Sequence, residues 1–177
     1  GIIARIPLNI CFSNIFLLIS SLYMLECCSC THKRKYIMST IQGIIQKGIG
    51  ESKNTVREQM PYFKKAFPEV SNCYHGTINV LLDKPLVILI ADHTTEALPW
   101  HPAFKFVKGG EVFKFLRIKL RVEGFDSVDA WIYKAQFSPY HDNPYYIEIL
   151  APHIGFTGTP RCSIEVYSSC CEGLIVG

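Results

Sequence analysis

The stretch Cys73–Pro85, CYHGTINVLLDKP, decides how this chain folds and where its chemistry lies. A turn-like Tyr-His-Gly passes directly into a predicted strand at 76–82. Thr77 and Asn79 are two residues apart, so their side chains share one face of a strand. Asn is depleted in strands, which raises the question of what this hydroxyl and amide do at the start of an apolar strand.

Short strands with apolar and polar residues in alternation dominate the rest of the chain. The clearest is EVFKFLRIKLRV at 111–122, where Lys and Arg separate large apolar side chains. The continuous apolar run at 85–91 predicts a buried strand. About seven strands are predicted, at 41–46, 76–82, 85–91, 111–122, 129–137, 145–152 and 161–167. Because no βαβ rhythm and no internal repeat is present, we expect a mostly β, mainly antiparallel barrel.

One helical insertion is predicted at 54–67, NTVREQMPYFKKAF, where apolar residues recur at three- and four-residue spacing. Pro61 lies within it and lacks a backbone donor, so we expect a broken or late-starting helix. No low-complexity linker divides residues 38–170, which are predicted to form a single domain, and 171–177 are predicted to be a tail.

The N-terminal part differs from the rest. Residues 6–25 carry no charge and are long enough to cross a bilayer. Residues 1–37 are therefore interpreted either as a membrane anchor with a cytoplasmic basic flank or as a gene-model extension upstream of a start at Met38. We favour the second because globular sequence begins just after Met38. Both interpretations predict that the domain is cytoplasmic.

Charge and cysteine content exclude several classes of protein. The formal charge of +3 comes from residues 1–37, and the 14 basic and 14 acidic residues of the remainder cancel, so no nucleic-acid partner is expected. Among eight cysteines, four lie in residues 1–37 and Cys170 and Cys171 lie near the C-terminal end, which leaves only Cys73 and Cys162 in the body of the predicted domain and argues against a disulfide framework. CCSCTH at 27–32 is followed by no second ligand pair at zinc spacing, so free thiols are favoured there.

The segment GIGES at Gly48–Ser52 is the first candidate site. Its glycines allow close backbone approach, and successive amides before a helix can form an anion-binding nest. A plain turn is the alternative, because the segment is neither a Walker A loop nor a full dinucleotide fingerprint.

Thr77, Asn79 and Glu148 are the other candidates. Thr77 and Asn79 either satisfy a neighbouring turn or supply hard oxygens to Mg²⁺, with phosphates and water completing the octahedron. Glu148 lies within the apolar strand YYIEILAP at 145–152, where it points either to solvent or inward. An inward position would raise its pKa and suit it to proton transfer.

These segments resemble the archaeal CTP-dependent riboflavin kinase family. The family's first motif ends in G-x-G-E-G, its third is P-G-T-[LI]-N-V, and its last is [LI]-E-[IL]-[IL]-A-P. The matching residues are Gly43, Gly48, Gly50 and Glu51, then Gly76, Thr77, Ile78, Asn79 and Val80, then Glu148, Ala151 and Pro152, while Tyr62 and Phe67 fit a second motif loosely. The matches occur in order between residue 43 and about residue 167.

The resemblance implies a compact six-stranded cradle-loop (RIFT-type) β-barrel with one short helical insertion. It also implies Mg²⁺-dependent transfer of a phosphoryl group from CTP to riboflavin, giving FMN. By position, Thr77 and Asn79 would hold Mg²⁺, and Glu148 would accept the proton of the attacking hydroxyl or orient the flavin. The residues implied to bind the nucleotide are Gly48, Ile49, Gly50, Glu51 and Ser52.

The sequence also departs from the family pattern. Ser52 replaces the last glycine of G-x-G-E-G, and His75 replaces the proline before G-T-[LI]-N-V. FSPYHDNPYY at 137–146 lacks the basic residue and the threonine of the acceptor segment, and the family's closing motif is shortened to HIGFTGTPRCSIEV at 153–166. The nucleotide half of the motif set is thus retained and the acceptor half is altered. The alternative to an enzyme is a non-catalytic nucleotide- or ligand-binding module on the same barrel.

Overall fold

The computed structural model describes residues 36–48, 52–88, 91–101, 109–168 and 174–176. These residues form nine strands, one α-helix and one short 3₁₀ helix. The strands are β1 Tyr36–Gln46, β2 Ile78–Leu82, β3 Leu86–Ile88, β4 His93–Thr94, β5 Phe113–Val122, β6 Val128–Ala135, β7 Tyr146–Leu150, β8 Arg161–Ser168 and β9 Leu174–Val176. The helix α1 spans Ser52–Ala66, and the 3₁₀ helix spans Pro68–Asn72.

Six of the strands close into an antiparallel barrel. Hydrogen-bonded neighbours follow the order β5-β6-β7-β2-β1-β8, and β8 pairs back with β5. β4 adds to the outside of β5 as an extra strand, while β3 and β9 form a separate two-stranded sheet. The expectation of a mostly β fold, with a six-stranded barrel and one short helix, is confirmed.

The alternating pattern of each strand sends one set of side chains into the barrel. On β5, Leu116, Ile118, Leu120 and Val122 are buried in the interior core, to which all six barrel strands contribute. On the same strand, Phe113 and Phe115 face outward. The outer face of the barrel is therefore also apolar in part, and it needs a cover.

Helix α1 supplies that cover. Val56, Met60 and Phe63 are buried at four- and three-residue spacing. The ring of Phe63 lies edge-on to Phe113 and Phe115, with centroids 4.8 and 5.3 Å apart. This second core fixes the helix against β5 and β6, and so fixes where its first turns lie relative to the neighbouring strands.

The expected interruption of the helix at Pro61 is wrong, because α1 runs without a break from Ser52 to Ala66. Pro61 and Arg57 are both exposed. The carbonyl of Arg57, which loses its intrahelical donor at Pro61, can therefore be hydrated.

Two strand assignments also differ from the sequence pattern. The run 85–91 was expected to be a buried strand, but β3 covers Leu86–Ile88 and Val87 is 42% exposed. The exposure of Val87 follows from the position of β3, which lies outside the barrel and pairs with β9. β9 is the second difference, because it is a strand within residues 171–177, which the sequence predicts to be a tail.

Gly43 lies where β1 and β2 approach closely. A Cβ at this position would be 2.6 Å from Val80 Cγ1 and 2.7 Å from the carbonyl oxygen of Leu81. Only glycine allows this approach. Gly43 therefore sets the spacing of the two strands that flank the candidate site.

The apolar stretch 6–25 and the cysteines at 27–30 lie outside the described residues. The residues described all belong to a unit that begins at Lys35. Within them, no helix has the length and apolar character needed to cross a membrane.

Candidate functional site

A row of facing residues crosses the outer surface of the barrel. Asn79 on β2 is paired directly with Glu148 on β7, which in turn pairs with Tyr133 on β6. Gln46 on β1 extends the row beyond Asn79, and Phe115 on β5 extends it beyond Tyr133. Paired residues share a face of the sheet, so the row changes from polar to aromatic as it approaches the part covered by α1.

Three side-chain oxygens converge in the polar half of this row. Thr77 Oγ1 lies 3.3 Å from Asn79 Oδ1 and 3.5 Å from Glu148 Oε1. Thr77 and Asn79 come from the start of β2, while Glu148 comes from the middle of β7. The strand pairing thus brings together two motifs that are about 70 residues apart.

Glu148 lies on the outer face of the barrel, but its side chain points into a cavity and not to bulk solvent. Ser138 Oγ donates a hydrogen bond to Glu148 Oε2 at 2.7 Å, and Thr77 donates to the other carboxylate oxygen. Burial raises the pKa of Glu148, the hydrogen bonds from Ser138 and Thr77 lower it in part, and the negative charge of Glu111 raises it further. Glu148 therefore has the environment of a carboxylate with a raised pKa, which is a common property of groups that transfer protons.

The main cavity lies between α1 and the outer face of β2, β7 and β6, and its volume is about 370 Å³. Such a volume is typical of sites for one small organic molecule. The residues that line it are Thr55, Val56, Gln59, Thr77, Asn79, Trp100, Glu111, Tyr133, Ala135, Phe137, Ser138, Pro139, Tyr140 and Glu148. One wall carries the three converging oxygens, and another carries the aromatic rings of Trp100, Phe137 and Tyr140.

Gln59 and Tyr133 form the floor of the main cavity. Gln59 is 1% exposed, and its Oε1 accepts a 2.9 Å hydrogen bond from the hydroxyl of Tyr133. Burial raises the pKa of Tyr133 well above its ordinary range, and the charges of Glu148 and Glu111 add to the effect. Tyr133 is therefore a neutral donor at physiological pH, and it ties the helix to the polar row.

A second cavity of about 240 Å³ lies on the other side of Thr77. Its lining consists of Tyr74, Gly76, Thr77, Ile78, Ala151, Pro152, His153, Ile154, Gly155 and Phe156. The rings of Tyr74 and His153 are 5.3 Å apart at its edge. Thr77 is common to both linings, so ligands in the two cavities would meet at the oxygen cluster.

The structure describes only part of the predicted nucleotide-binding segment. Gly48 follows β1 two residues after Gln46, the partner of Asn79, and Ser52 begins α1. Ile49, Gly50 and Glu51 lie outside the described residues, as does the side chain of Ser52. Their assignment to a nucleotide stays a prediction.

The oxygen cluster fits the ligand preferences of Mg²⁺. Neighbouring ligands of an octahedral ion at about 2.1 Å are about 3 Å apart, close to the separations around Thr77 Oγ1. The cluster combines a hydroxyl, an amide oxygen and a single carboxylate, and the described residues contain no group of three or more His, Cys, Asp or Glu. A site with so little charge suits a cation that takes its other ligands from phosphates and water.

Ser138, Gln59 and Glu111 belong to the site but were not found from the sequence. Ser138 lies in the turn after β6 and Glu111 just before β5, where sequence spacing gives no indication of what they face. Gln59 could have been noticed from the sequence, because it is a polar residue at a position that belongs to the apolar stripe of the predicted helix.

Comparison with known proteins adds no assignment. The chain matches no model of a known protein family, and no curated protein matches it either.

Proposed function

We propose that this protein is a Mg²⁺-dependent phosphotransferase that transfers a phosphoryl group from a nucleoside triphosphate, CTP by resemblance, to riboflavin. The observation that carries the proposal is the convergence of Thr77, Asn79 and Glu148 at the boundary of two cavities. Phosphoryl transfer depends mainly on positioning and charge neutralisation. A boundary of this kind can place donor and acceptor on opposite sides of one cation.

Thr77 and Asn79 would hold Mg²⁺, which when bound neutralises phosphate charge. Asn79 is 5% exposed, and its cross-strand pairing with Glu148 fixes its backbone. Side chains held by strands keep their geometry better than side chains on loops. This rigidity supports a role in orienting a polyphosphate.

The second cavity is the proposed place for the nucleoside part of the donor. Tyr74 and His153 offer ring surfaces at its edge. The backbone groups of 153–156 form no backbone hydrogen bond with other described residues, so they are available to the edge of a heterocycle. The triphosphate would then extend past Thr77 toward Gly48, which follows β1.

The main cavity is the proposed place for riboflavin. Trp100, Phe137 and Tyr140 provide aromatic surface for a planar ring. Glu148 lies at the oxygen cluster, where the ribityl hydroxyl would attack the terminal phosphorus of the nucleoside triphosphate and release the nucleoside diphosphate. Glu148 would accept the proton of that hydroxyl, while Ser138 and Thr77 hold the carboxylate in place.

A non-catalytic binding module is the second candidate. The buried carboxylate of Glu111 lies near Glu148 and raises its pKa. Two carboxylates in the lining of one cavity repel a phosphorylated, negatively charged product. They do not repel an uncharged ligand, whether or not that ligand is converted. The altered acceptor segment at 137–146 favours the same alternative.

A turnover assay separates the two candidates. The purified full chain is incubated with riboflavin and each of CTP, ATP, GTP and UTP, with and without Mg²⁺, and FMN is measured by chromatography. Mg²⁺-dependent FMN formation supports the enzyme. No FMN with any donor, together with a melting temperature raised by CTP or riboflavin, supports the binding module. No FMN and no thermal stabilisation would overturn both.

A further inference from the structure

Glu111 occupies an unusual position beside the main cavity. Its side chain is 2% exposed, and each carboxylate oxygen accepts one hydrogen bond from a neutral donor. Oε2 accepts from Trp100 Nε1 at 2.7 Å, and Oε1 accepts from the backbone N–H of Phe137 at 2.8 Å. A buried carboxylate is costly unless it is well hydrogen-bonded. Its two bonds therefore bind Glu111 firmly to two separate parts of the cavity wall.

The backbone around Glu111 fixes the first of these parts. Glu111 N donates to the carbonyl of Leu98 at 3.0 Å, and Leu98 N donates to the carbonyl of Glu111 at 2.8 Å. This pair of bonds holds the segment 95–101, which carries Trp100, against the start of β5. The indole bond to Glu111 then sets the orientation of the Trp100 ring.

The second part is the turn that follows β6. Phe137, which donates to Glu111, is followed by Ser138, which donates to Glu148 at 2.7 Å. Displacement of this turn would move the hydroxyl that holds Glu148. Glu111 thus connects the aromatic wall to Glu148 through the bond from the backbone of Phe137, the peptide link to Ser138 and the bond from Ser138 to Glu148.

We propose that Glu111 is a positioning residue of the main cavity, which holds Trp100 and the turn 136–138 as a preformed wall for a planar conjugated ring. The identity of that ring as riboflavin rests on the proposed function. Preformed walls improve affinity because less side-chain freedom is lost on binding. Glu111 therefore acts on affinity for the ligand of the main cavity and not on binding in the second cavity.

The test uses Glu111→Gln, which keeps the shape of the side chain but can accept only one of the two hydrogen bonds through its single oxygen. We expect riboflavin affinity, measured from quenching of flavin fluorescence, to fall about tenfold or more, as for loss of a hydrogen bond to a charged group. The affinity for CTP with Mg²⁺ should stay the same. Glu123→Gln, an exposed carboxylate in the β5–β6 turn, is the matched control and should change neither.

A ligand-free measurement keeps the test independent of the proposed function. In a ¹⁵N spectrum, the indole N–H of Trp100 should be shifted and protected from exchange in the native chain, and both properties should be lost in Glu111→Leu, which offers no acceptor to either donor. Trp100→Phe identifies the resonance and keeps a ring in the wall. In the double variant the loss of riboflavin affinity should be less than additive, since both changes break the same bond.

Two results would overturn the role of Glu111. One is an unchanged Trp100 indole resonance in a folded Glu111→Leu variant. The other is an equal loss of affinity for riboflavin and for CTP with Mg²⁺, which would mean a general loss of structure. Should Glu111→Gln not fold, Trp100→Phe tests the same bond, and unchanged riboflavin affinity there would also refute the proposal. If the native chain binds no riboflavin, the proposed function fails, whereas the indole resonance still decides the role of Glu111.

Discussion

Asn79 on β2 and Glu148 on β7 face each other as direct cross-strand partners, and Thr77 Oγ1 lies within hydrogen-bonding distance of an oxygen of each. The register of this one strand pair creates the site. A slip of either strand by one residue would turn its side chain into the apolar interior of the barrel. Gly43 allows the close approach of β1 to β2, the strand that carries Asn79.

Replacement of Asn79 by Leu should remove one oxygen of the cluster while keeping the strand. Leu has a similar size, and the position is already 5% exposed, so folding should be preserved. We expect CTP binding in the presence of Mg²⁺ to weaken about tenfold or more, equivalent to about 1.4 kcal/mol. Isothermal titration with and without Mg²⁺ measures the change.

The control for this variant is Asn72→Leu, an exposed amide at the end of the 3₁₀ helix. It should leave CTP binding unchanged. Unaltered Mg²⁺-dependent binding in Asn79→Leu would contradict the assignment of Asn79 as a ligand.

Glu148 should make the stability of the protein depend on pH. Burial, opposed in part by hydrogen bonds and reinforced by Glu111, raises its pKa in the folded state above the ordinary value of 4.5. The folded state then binds the proton more tightly than the unfolded state. The contribution of Glu148 to stability is therefore complete below about pH 4.5 and is lost as pH rises through the raised folded pKa.

The measurement is urea unfolding of the native chain and of Glu148→Gln at a series of pH values from below about 4.5 upward, without divalent cations. The free energy of unfolding of the native chain, relative to the variant, should fall as pH rises. Three titratable groups interact electrostatically with Glu148, namely Glu111, Tyr133 and Tyr146. Both tyrosines have raised pKa values and therefore stay neutral at the acidic pH values of this measurement. A relative stability that increases with pH would refute the environment assigned to Glu148.

The barrel could be predicted because each strand carries its own signal. In β5, large apolar residues alternate with Lys and Arg over ten residues, a pattern typical of antiparallel strands with one buried face in a chain without βαβ units. Thr77, Asn79 and Glu148 could also be found, since each is a polar residue within a strongly apolar strand.

The remaining parts of the site depend on contacts that no local pattern encodes. Ser138 and Glu111 lie outside the regular strands, and their partners are 10 or more residues away. Pro61 misled the helix assignment because local propensity ignores the packing of Phe63, which holds α1 on the barrel.

Gly110→Ala should destabilise the wall beside the main cavity. Gly110 has a φ of +137°, and a Cβ there would lie 2.3 Å from the carbonyl oxygen of Leu98. We expect the strain and the clash to displace the segment that carries Trp100 and to lower the free energy of unfolding by about 1–3 kcal/mol or more. Gly109→Ala is the matched control, because its φ is +93° but no atom of the described residues, apart from the neighbours in the chain, lies within 4 Å of the added Cβ. Equal effects of the two changes on urea unfolding would argue against the close packing on Leu98.

Cys73 and Cys162 should react slowly with thiol reagents. Burial raises the pKa of each to about 11 from an ordinary value of 9.0, so the thiolate fraction at pH 8 is about a hundredfold lower than that of an ordinary thiol. Mass spectrometry after brief alkylation should find these two sites unlabelled in the native protein and labelled in urea. Rapid native labelling of either would show that its burial is incomplete.

Tyr133→Phe should separate the anchoring of the helix from the oxygen cluster. The change removes the hydroxyl that donates to Gln59 and leaves the buried Gln59 Oε1 without this donor. We expect the free energy of unfolding to fall by about 1–3 kcal/mol, because the desolvated acceptor is no longer satisfied. Tyr145→Phe, at a tyrosine that is 45% exposed, should change it by less than about 0.5 kcal/mol. Since Tyr133 lies next to Glu148 in the row but donates to the helix, Mg²⁺-dependent CTP binding should be retained in the folded variant, and its loss would mean that the floor of the main cavity also supports the cation site.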